Sequence, residues 1–438
     1  MNKEGNERRF YLGFGAVVLL LTSLPYLYGV ATPPPGHLYT GLTYNIDDIA
    51  VYFSWYRQAE SGEFFQRNLF NTDPQRGMQF SVLSLLIGNV ARFTGLSLPV
   101  VFHLARLLFG GLFLASVVGL IRETISDDRA RRIAFALVGV GSGLGWVTGG
   151  YDPARAFAQP IDLWQPEAIT FLSLYFAPLF AAALALMVVF VTALLRSERT
   201  GRMPDILPAA VSGLLLANFH TYDIVHLFAV AIVFRVATDI GARRLSMPGW
   251  LRILVAGAVT LPSFAYTYYA LIRDPLFGQR DVKTLSGSPV WTLLGLGIPL
   301  LLALFAAVRP DLGRFRDATA WRLLLVWMIT AFLVAYLPVD FQRKMLMGIH
   351  LPVCLLAGVT LAALTSRLSG DFPKIAVAAT VVVASVSNAL FLLRDIGRLS
   401  ANIGSTEHRP YLSRAEVDAL DFLREKTDRR GGVLVAPD

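Results

Sequence analysis

Apolar residues in this chain do not alternate with polar ones at a helix or strand period; they run in long blocks. Eleven blocks stand out: 10–30, 98–121, 133–147, 169–195, 206–219, 224–240, 251–272, 290–308, 323–338, 346–364 and 375–393. About 20 such residues carry a helix across the hydrocarbon of a bilayer. The pattern therefore predicts an all-α polytopic membrane protein with about eleven transmembrane helices. A further run, 80–93, is shorter and is interrupted by Asn89 and Arg92. It reads as an interfacial or re-entrant helix.

Composition agrees. Charged residues make up 16% of the 438 and hydrophobic residues 55%. A soluble domain carries about 25% charged residues, so this chain has too few to cover a surface in water. It is also too hydrophobic for intrinsic disorder. The formal charge of +8 would raise the question of nucleic acid in a soluble protein. In a membrane protein it marks cytoplasmic loops. No nucleic-acid partner is expected.

Charge placement sets the topology. With Lys3, Arg8 and Arg9 inside, eleven spans put every dense basic cluster between spans on the cytoplasmic side: Arg122 with Arg129, Arg131 and Arg132; Arg196 with Arg199 and Arg202; Arg243 with Arg244 and Arg252; Arg309 with Arg314, Arg316 and Arg322. Were 80–93 to span, all of them would move outside. The first block follows a basic start, as a secretory signal does, but its apolar stretch is longer than a signal core. It reads as an uncleaved anchor. The expected localisation is the inner (plasma) membrane, with an extracytoplasmic active face.

The outer side then holds loops 31–97, 149–167 and 273–288, and turns at 220–223 and 339–344. The transmembrane body is expected over 1–393. The segment 394–438 lies outside; a helix over 414–425 and a strand-like 433–435 read as the start of a small soluble domain. No internal repeat is evident, against a transporter built from inverted halves. The single cysteine, Cys354, excludes an intramolecular disulfide.

The first outer loop carries the densest chemistry: Tyr44-Asn45-Ile46-Asp47-Asp48, then Tyr52, Trp55 and Tyr56 on an amphipathic helix. Asp47 can simply start that helix, and aromatic rings favour a membrane interface. Two adjacent carboxylates can also raise one another's pKa, which suits a general base. In the next outer loop, Asp152, Asp162 and Glu167 are the acidic candidates; Pro166-Glu167 equally fits a helix start. His220, Asp223 and His226 recur at a spacing of three and share a helix face. They read either as a pair locking the turn or as substrate contacts. Arg343 and Lys344 form a dense basic site at the outer surface, against the charge rule, and would suit an anionic head group. His350 lies two turns on; Arg273, Arg280 and Lys283 are further basic candidates. The run from Gly139 to Gly145 resembles a nucleotide loop, but no βαβ unit surrounds it, so it reads as a close-packing or bending segment.

An N-terminal span, a long outer loop opening on an Asp-Asp pair, aromatics, a Ser61-Gly62-Glu63 turn, a second apolar helix and the Leu/Arg-rich span 98–121 form an ordered pattern. It resembles the GT-C superfamily of integral-membrane glycosyltransferases, in particular the protein-O-mannosyltransferase-like and aminoarabinose-transferase-like members. The resemblance implies transfer of a sugar from a polyprenyl-phosphate-linked donor to a lipid, glycan or protein acceptor. It implies an acidic base in the first outer loop, mapping to Asp47 with Asp48 second, and a second acid at Glu167. It implies that Arg343 meets the lipid phosphate. Some members use a divalent cation such as Mg or Mn, which Asp47 and Glu167 would hold. Two other readings remain: a transporter or flippase of lipid-linked sugar or small solute, and a non-catalytic assembly subunit.

Overall fold

The computed structural model describes residues 3–71, 73, 75–155, 157–274, 283–402 and 409–426. Every one of the eleven apolar blocks falls on helix. Helix α1 (Lys3–Leu21) and α2 (Leu24–Ala31) form a single apolar unit bent by 47°. At the bend, Thr22 and Ser23 turn their hydroxyls back onto the Leu19 carbonyl, at 3.0 and 2.7 Å, and Pro25 opens α2. The carbonyl freed there is met by Arg106, a buried cation that also donates to Leu174 O at 3.1 Å and lies 4.9 Å from the Tyr26 ring. A charge inside a span needs such acceptors.

Six further blocks form helices long and apolar enough to cross a membrane: α5 (Leu98–Thr124), α8 (Pro178–Thr200), α10 (Tyr222–Ala242), α11 (Met247–Arg273), α12 (Pro289–Val308) and α15 (Phe372–Ala401). A seventh is α14 (His350–Thr365) together with the 3₁₀ turn Gln342–Leu346 that leads into it. The other three blocks fall on shorter helices: α6 (Asp128–Val140), α9 (Leu207–Phe219) and α13 (Ala318–Val334). Block 133–147 is thus helical only to Val140. Block 169–195 is split, because the short α7 (Thr170–Phe176) ends before Pro178 starts α8. A proline at that point cannot continue the preceding ladder.

α8 forms the centre and packs against α5 and α9, while α14, buried along all but its last turn, packs against α6 and α12. At one end of the bundle the basic loops lock together. Glu123 accepts from Arg196 and Arg199 at 2.8 Å and from Arg316 at 3.3 Å, and Arg199 pairs with Asp317 at 2.7 Å. Arg235 and Arg252 converge on Glu198. Arg196, Arg199, Arg252 and Arg316, from the clusters that set the topology, are therefore paired charges as well.

At the other end the first loop is built from α3 (Ile46–Glu60) and α4 (Val82–Thr94). Thirteen residues of α4 reach only about 20 Å, which agrees with an interfacial helix and not a span. Ser81 caps it, accepting from Ser84 N at 3.2 Å. It crosses α3 at Gly88, where a Cβ would sit 2.5 Å from both Ala59 Cβ and Tyr56 O. Beyond α2, strand β1 (His37–Tyr39) pairs antiparallel with β2 (Tyr411–Ser413), which leads into α16 (Arg414–Lys426). The predicted helix over 414–425 is present. It is tied to the first loop by this ladder and by Tyr411 Oη donating to Gly29 O at 3.1 Å. The predicted strand over 433–435 lies outside the described residues.

The glycine run serves packing, as its sequence context suggested. A Cβ on Gly143 would fall 2.2 Å from Gly295 O, and one on Gly295 would fall 2.7 Å from Ile161 N. α12 breaks between these contacts at Gly297, with φ 45°. Three backbone segments meet there with no room for a side chain. Gly295→Ala is expected to destabilise the protein by roughly 1–3 kcal/mol through overpacking, read as a lowered melting temperature in detergent; an unchanged melt would contradict this crossing.

Candidate functional site

The site is organised by the loop that runs between α6 and α7. Asp162 Oδ2 accepts from the backbone N–H of Gly143 and of Gly145, each at 3.0 Å, and is fully buried. Burial pushes its carboxyl up to about 6, against the bonds from Ser387, Gly145 and Gly143 that favour its ionised form. Of the loop's acids, Asp162 holds the loop together. Asp152 is at its exposed edge beside Arg155, at 3.5 Å. Glu167 is buried.

The segment from Leu163 to Glu167 meets the first outer loop and the basic turn. Tyr44 Oη donates to Trp164 O at 2.6 Å. Gln165 Nε2 donates to Arg343 O at 3.0 Å. The Arg343 guanidinium lies 5.4 Å from the Trp164 ring and 5.6 Å from the Phe157 ring. Lys344 Nζ lies 4.8 Å from the Tyr222 ring. Neither cation has an ion pair among the described residues, and Arg343 Nε is buried without a hydrogen-bond partner. An aromatic face holds a guanidinium without using its in-plane donors. Both cations thus keep donors for an anion.

The backbone around them is fixed from two sides. Thr284 N donates to Asp340 O at 2.6 Å and Arg343 N donates to Thr284 O at 3.0 Å. Ser286 donates its Oγ to Ala335 O at 2.7 Å. Lys283 adjoins this strap, Arg273 closes α11 against the Tyr269 ring at 5.8 Å, and Arg280 lies outside the described residues.

The acidic pair stands on the first turn of α3. Asn45 precedes it with φ 47°, a left-handed conformation that is strained for any residue but glycine and tolerated best by Asn. It donates to Asp48 Oδ2 at 2.6 Å. Asp48 is exposed and Asp47 half-buried, with Oδ1 shielded from solvent. One turn on, Tyr52 is held neutral: burial raises its phenol, and Asp48, Tyr56, Glu167 and Tyr222 push it further. Tyr52 is therefore within electrostatic reach of an acid from each outer loop and of the tyrosine under Lys344. Tyr44 feels Arg394, Asp395, Tyr151 and Glu167 in the same way. The structure thus brings Tyr44, Asp48, Glu167, Arg343 and Lys344 into one neighbourhood.

His220 Nδ1 lies 3.0 Å from Asp223 Oδ2, both buried, with the His220 ring between Phe180 and Tyr222 at 5.6 and 5.7 Å. The two side chains stand together at the turn between α9 and α10. The turn in turn presents Tyr222, whose ring is 5.0 Å from that of Phe341. His226 and His350 are buried inside the bundle; His350 Nδ1 is 2.9 Å from Thr170 Oγ1 and its Nε2 3.3 Å from Cys354 Sγ. Among the described residues no three His, Cys, Asp or Glu side chains gather as a metal site.

Sequence reasoning named Tyr52 only among the interfacial aromatics and missed Phe157 and Gln165, whose contacts lie far along the chain. It also missed Arg394, whose Nη1 donates to Leu163 O at 3.2 Å. Its signal was a pair of basic residues ending the last apolar block.

Beside the His220 turn lies an apolar cavity of 440 Å³, lined among others by Phe64, Phe65, Phe80, Leu214, Pro262 and Tyr266. Asn218 closes its edge, donating to Phe80 O at 3.0 Å and accepting from Val82 N at 2.7 Å.

The described helices form a bundle whose apolar helices are long enough to cross a membrane, with amphipathic helices at one end. No protein-family profile matches the sequence, and no curated protein matches it. Solved structures do match in fold. ArnT from Cupriavidus metallidurans, crystallised with undecaprenyl phosphate, aligns over 95% of this chain and 80% of its own, at 14% identity and TM-score 0.51. Its apo crystal structure aligns over 88% and 77%, at 13% identity and TM-score 0.50. The arabinosyltransferase EmbB from Mycobacterium smegmatis aligns over 93% of this chain and 42% of its own, at 11% identity and TM-score 0.47. The all-α membrane fold expected from the sequence is the fold found, and it is similar to that of ArnT.

Proposed function

We propose that the protein is a membrane glycosyltransferase that moves a sugar from a polyprenyl-phosphate carrier to an acceptor at the extracytoplasmic face. The observation that carries this reading is the Arg343–Lys344 pair. Two cations held on aromatic faces, without carboxylate partners among the described residues, adjoin a segment bearing a buried acid. The shared fold adds to it, since ArnT has been crystallised with undecaprenyl phosphate.

In this mechanism Asp47, or Asp48 beside it, takes or orients the proton of the acceptor hydroxyl. The oxygen attacks the anomeric carbon as the bond to the carrier phosphate breaks. Negative charge grows on that phosphate, where Arg343 and Lys344 stabilise it; preorganised charge of this kind acts mainly on the transition state. Glu167 lies within reach of the sugar through the Tyr44 and Tyr52 phenols, as a second acid. The prenyl chain runs in the apolar cavity beside the His220 turn. A cation of the Mg or Mn type would depend on substrate oxygens as well as on the acids.

The test is turnover in proteoliposomes holding a polyprenyl-phosphate sugar and a mixture of cell-envelope acceptors. Release of the free carrier phosphate with label appearing on an acceptor is expected. Passage of intact lipid-linked sugar between leaflets without release would instead identify a flippase.

A further inference from the structure

Among the described residues, Arg394 and Arg398 have a single carboxylate, that of Asp395, beside them. They stand one turn apart near the end of α15. Arg394 donates Nε to Asp395 Oδ1 at 3.0 Å and Nη1 to Leu163 O at 3.2 Å. Asp395 is buried and also accepts from Tyr175 Oη at 2.8 Å, so its charge is already shared. The Arg398 side chain makes no hydrogen bond or ion pair among the described residues, and its Nη1 is buried. Both guanidiniums face one ring, Tyr151, at 4.9 and 5.9 Å, and Arg394 also lies 5.7 Å from the Tyr44 ring. The acid next in sequence, Asp152, is beside Arg155 at 3.5 Å.

Like charges four residues apart on a helix repel, and a half-buried guanidinium with idle donors costs desolvation energy that no described group returns. An anion placed between the two guanidiniums would remove both penalties, and their fork-shaped donors match a phosphate or a carboxylate. We propose that Arg394 and Arg398, with Tyr151, form a second anion-binding site that holds a phosphate or carboxylate on the sugar-accepting substrate.

The assignment to the acceptor rests on the glycosyltransferase reading and on how the two cation pairs are placed. Both grip the same segment at different residues: Arg394 binds the carbonyl of Leu163, whereas Arg343 lies over Trp164 and is bound by Gln165. The Arg343–Lys344 pair adjoins Tyr222, at the turn that follows the cavity-lining Asn218. The Arg394–Arg398 pair adjoins Tyr44, at the start of the acidic motif. Two anions can thus be held at once, with the acids of the two outer loops nearby.

The test uses the full chain in detergent, titrated with glucose 1-phosphate and with glucuronate as soluble sugar anions, and with undecaprenyl phosphate as the carrier probe. Wild type is expected to bind at least one sugar anion; the preferred one tells phosphate from carboxylate. Arg398→Gln should weaken that binding by about tenfold or more, the loss of a charge-assisted bond, and leave the carrier affinity unchanged. Arg398→Lys should keep part of it. Arg343→Gln should show the reverse selectivity. Melting curves matching wild type establish that each variant is folded. The proposal is overturned by absence of sugar-anion binding to wild type, by unchanged affinity in Arg398→Gln, or by equal loss of both probes in either variant. If the carrier probe fails to bind while Arg398-dependent sugar-anion binding persists, the glycosyltransferase reading falls and the anion site stands.

Discussion

Asp47→Asn is expected to abolish sugar transfer, with a loss of about 10²–10⁴-fold in kcat, the range that a positioned general base supplies. The substitution keeps the shape and hydrogen-bonding capacity of the side chain on the first turn of α3. The melting temperature and the affinity for the carrier lipid should therefore stay close to wild type. Asp48→Asn is the control. Asp48 is exposed and held by Asn45 at 2.6 Å, so its loss should act more weakly if Asp47 is the base. Turnover like that of wild type in Asp47→Asn, with Asp48→Asn inactive, would move the role one residue along. Wild-type turnover in both would remove the base from this loop.

Arg343→Gln is the second large effect. The loss expected is about 10²–10³-fold in kcat/KM, as for removal of a preorganised donor aimed at developing charge. Because the cation meets the phosphate in the ground state as well, KM for the lipid-linked sugar should rise too. Lys344→Gln should cost less, since Lys344 is a single point charge over one ring whereas Arg343 offers a fork of donors between two. Arg343→Lys restores the charge but not the fork, and should recover only part of the activity. An Arg343→Gln enzyme with unchanged kcat/KM would sink the phosphate role.

Much of this architecture was legible in the chain. The apolar blocks marked the helices because a bilayer demands length and hydrophobicity in one segment, a constraint that acts locally. The short run at 80–93 was legible as a surface helix from Asn89 and Arg92. The unusual basic turn was legible because Arg343 and Lys344 broke the charge pattern that the other clusters obeyed. The breaks within blocks were harder to see. α6 stops at Val140 and α12 kinks at Gly297 because backbone from three segments meets at Gly143, Gly295 and Ile161, and spacing along one segment does not encode that meeting. The acids of the second outer loop were likewise not separable by sequence. Asp162 and Glu167 sit five residues apart, and only the N–H groups of Gly143 and Gly145 show that Asp162 is engaged in holding the loop.

The sequence by itself determined the class of the protein, the places of its apolar helices and the loops that carry its polar chemistry. It did so because solvation by lipid is read residue by residue. Only the tertiary structure decided which polar groups meet: Tyr52 between two acidic loops, Arg343 on Trp164, Arg394 and Arg398 on Tyr151. Those meetings arise from packing between segments more than a hundred residues apart, where shape and close approach govern and no local pattern reports them. The positive excess that first marked cytoplasmic loops is in fact of two kinds. One end of the bundle pairs its arginines with Glu123 and Glu198; the other lays them on aromatic rings, where an anion can still reach them.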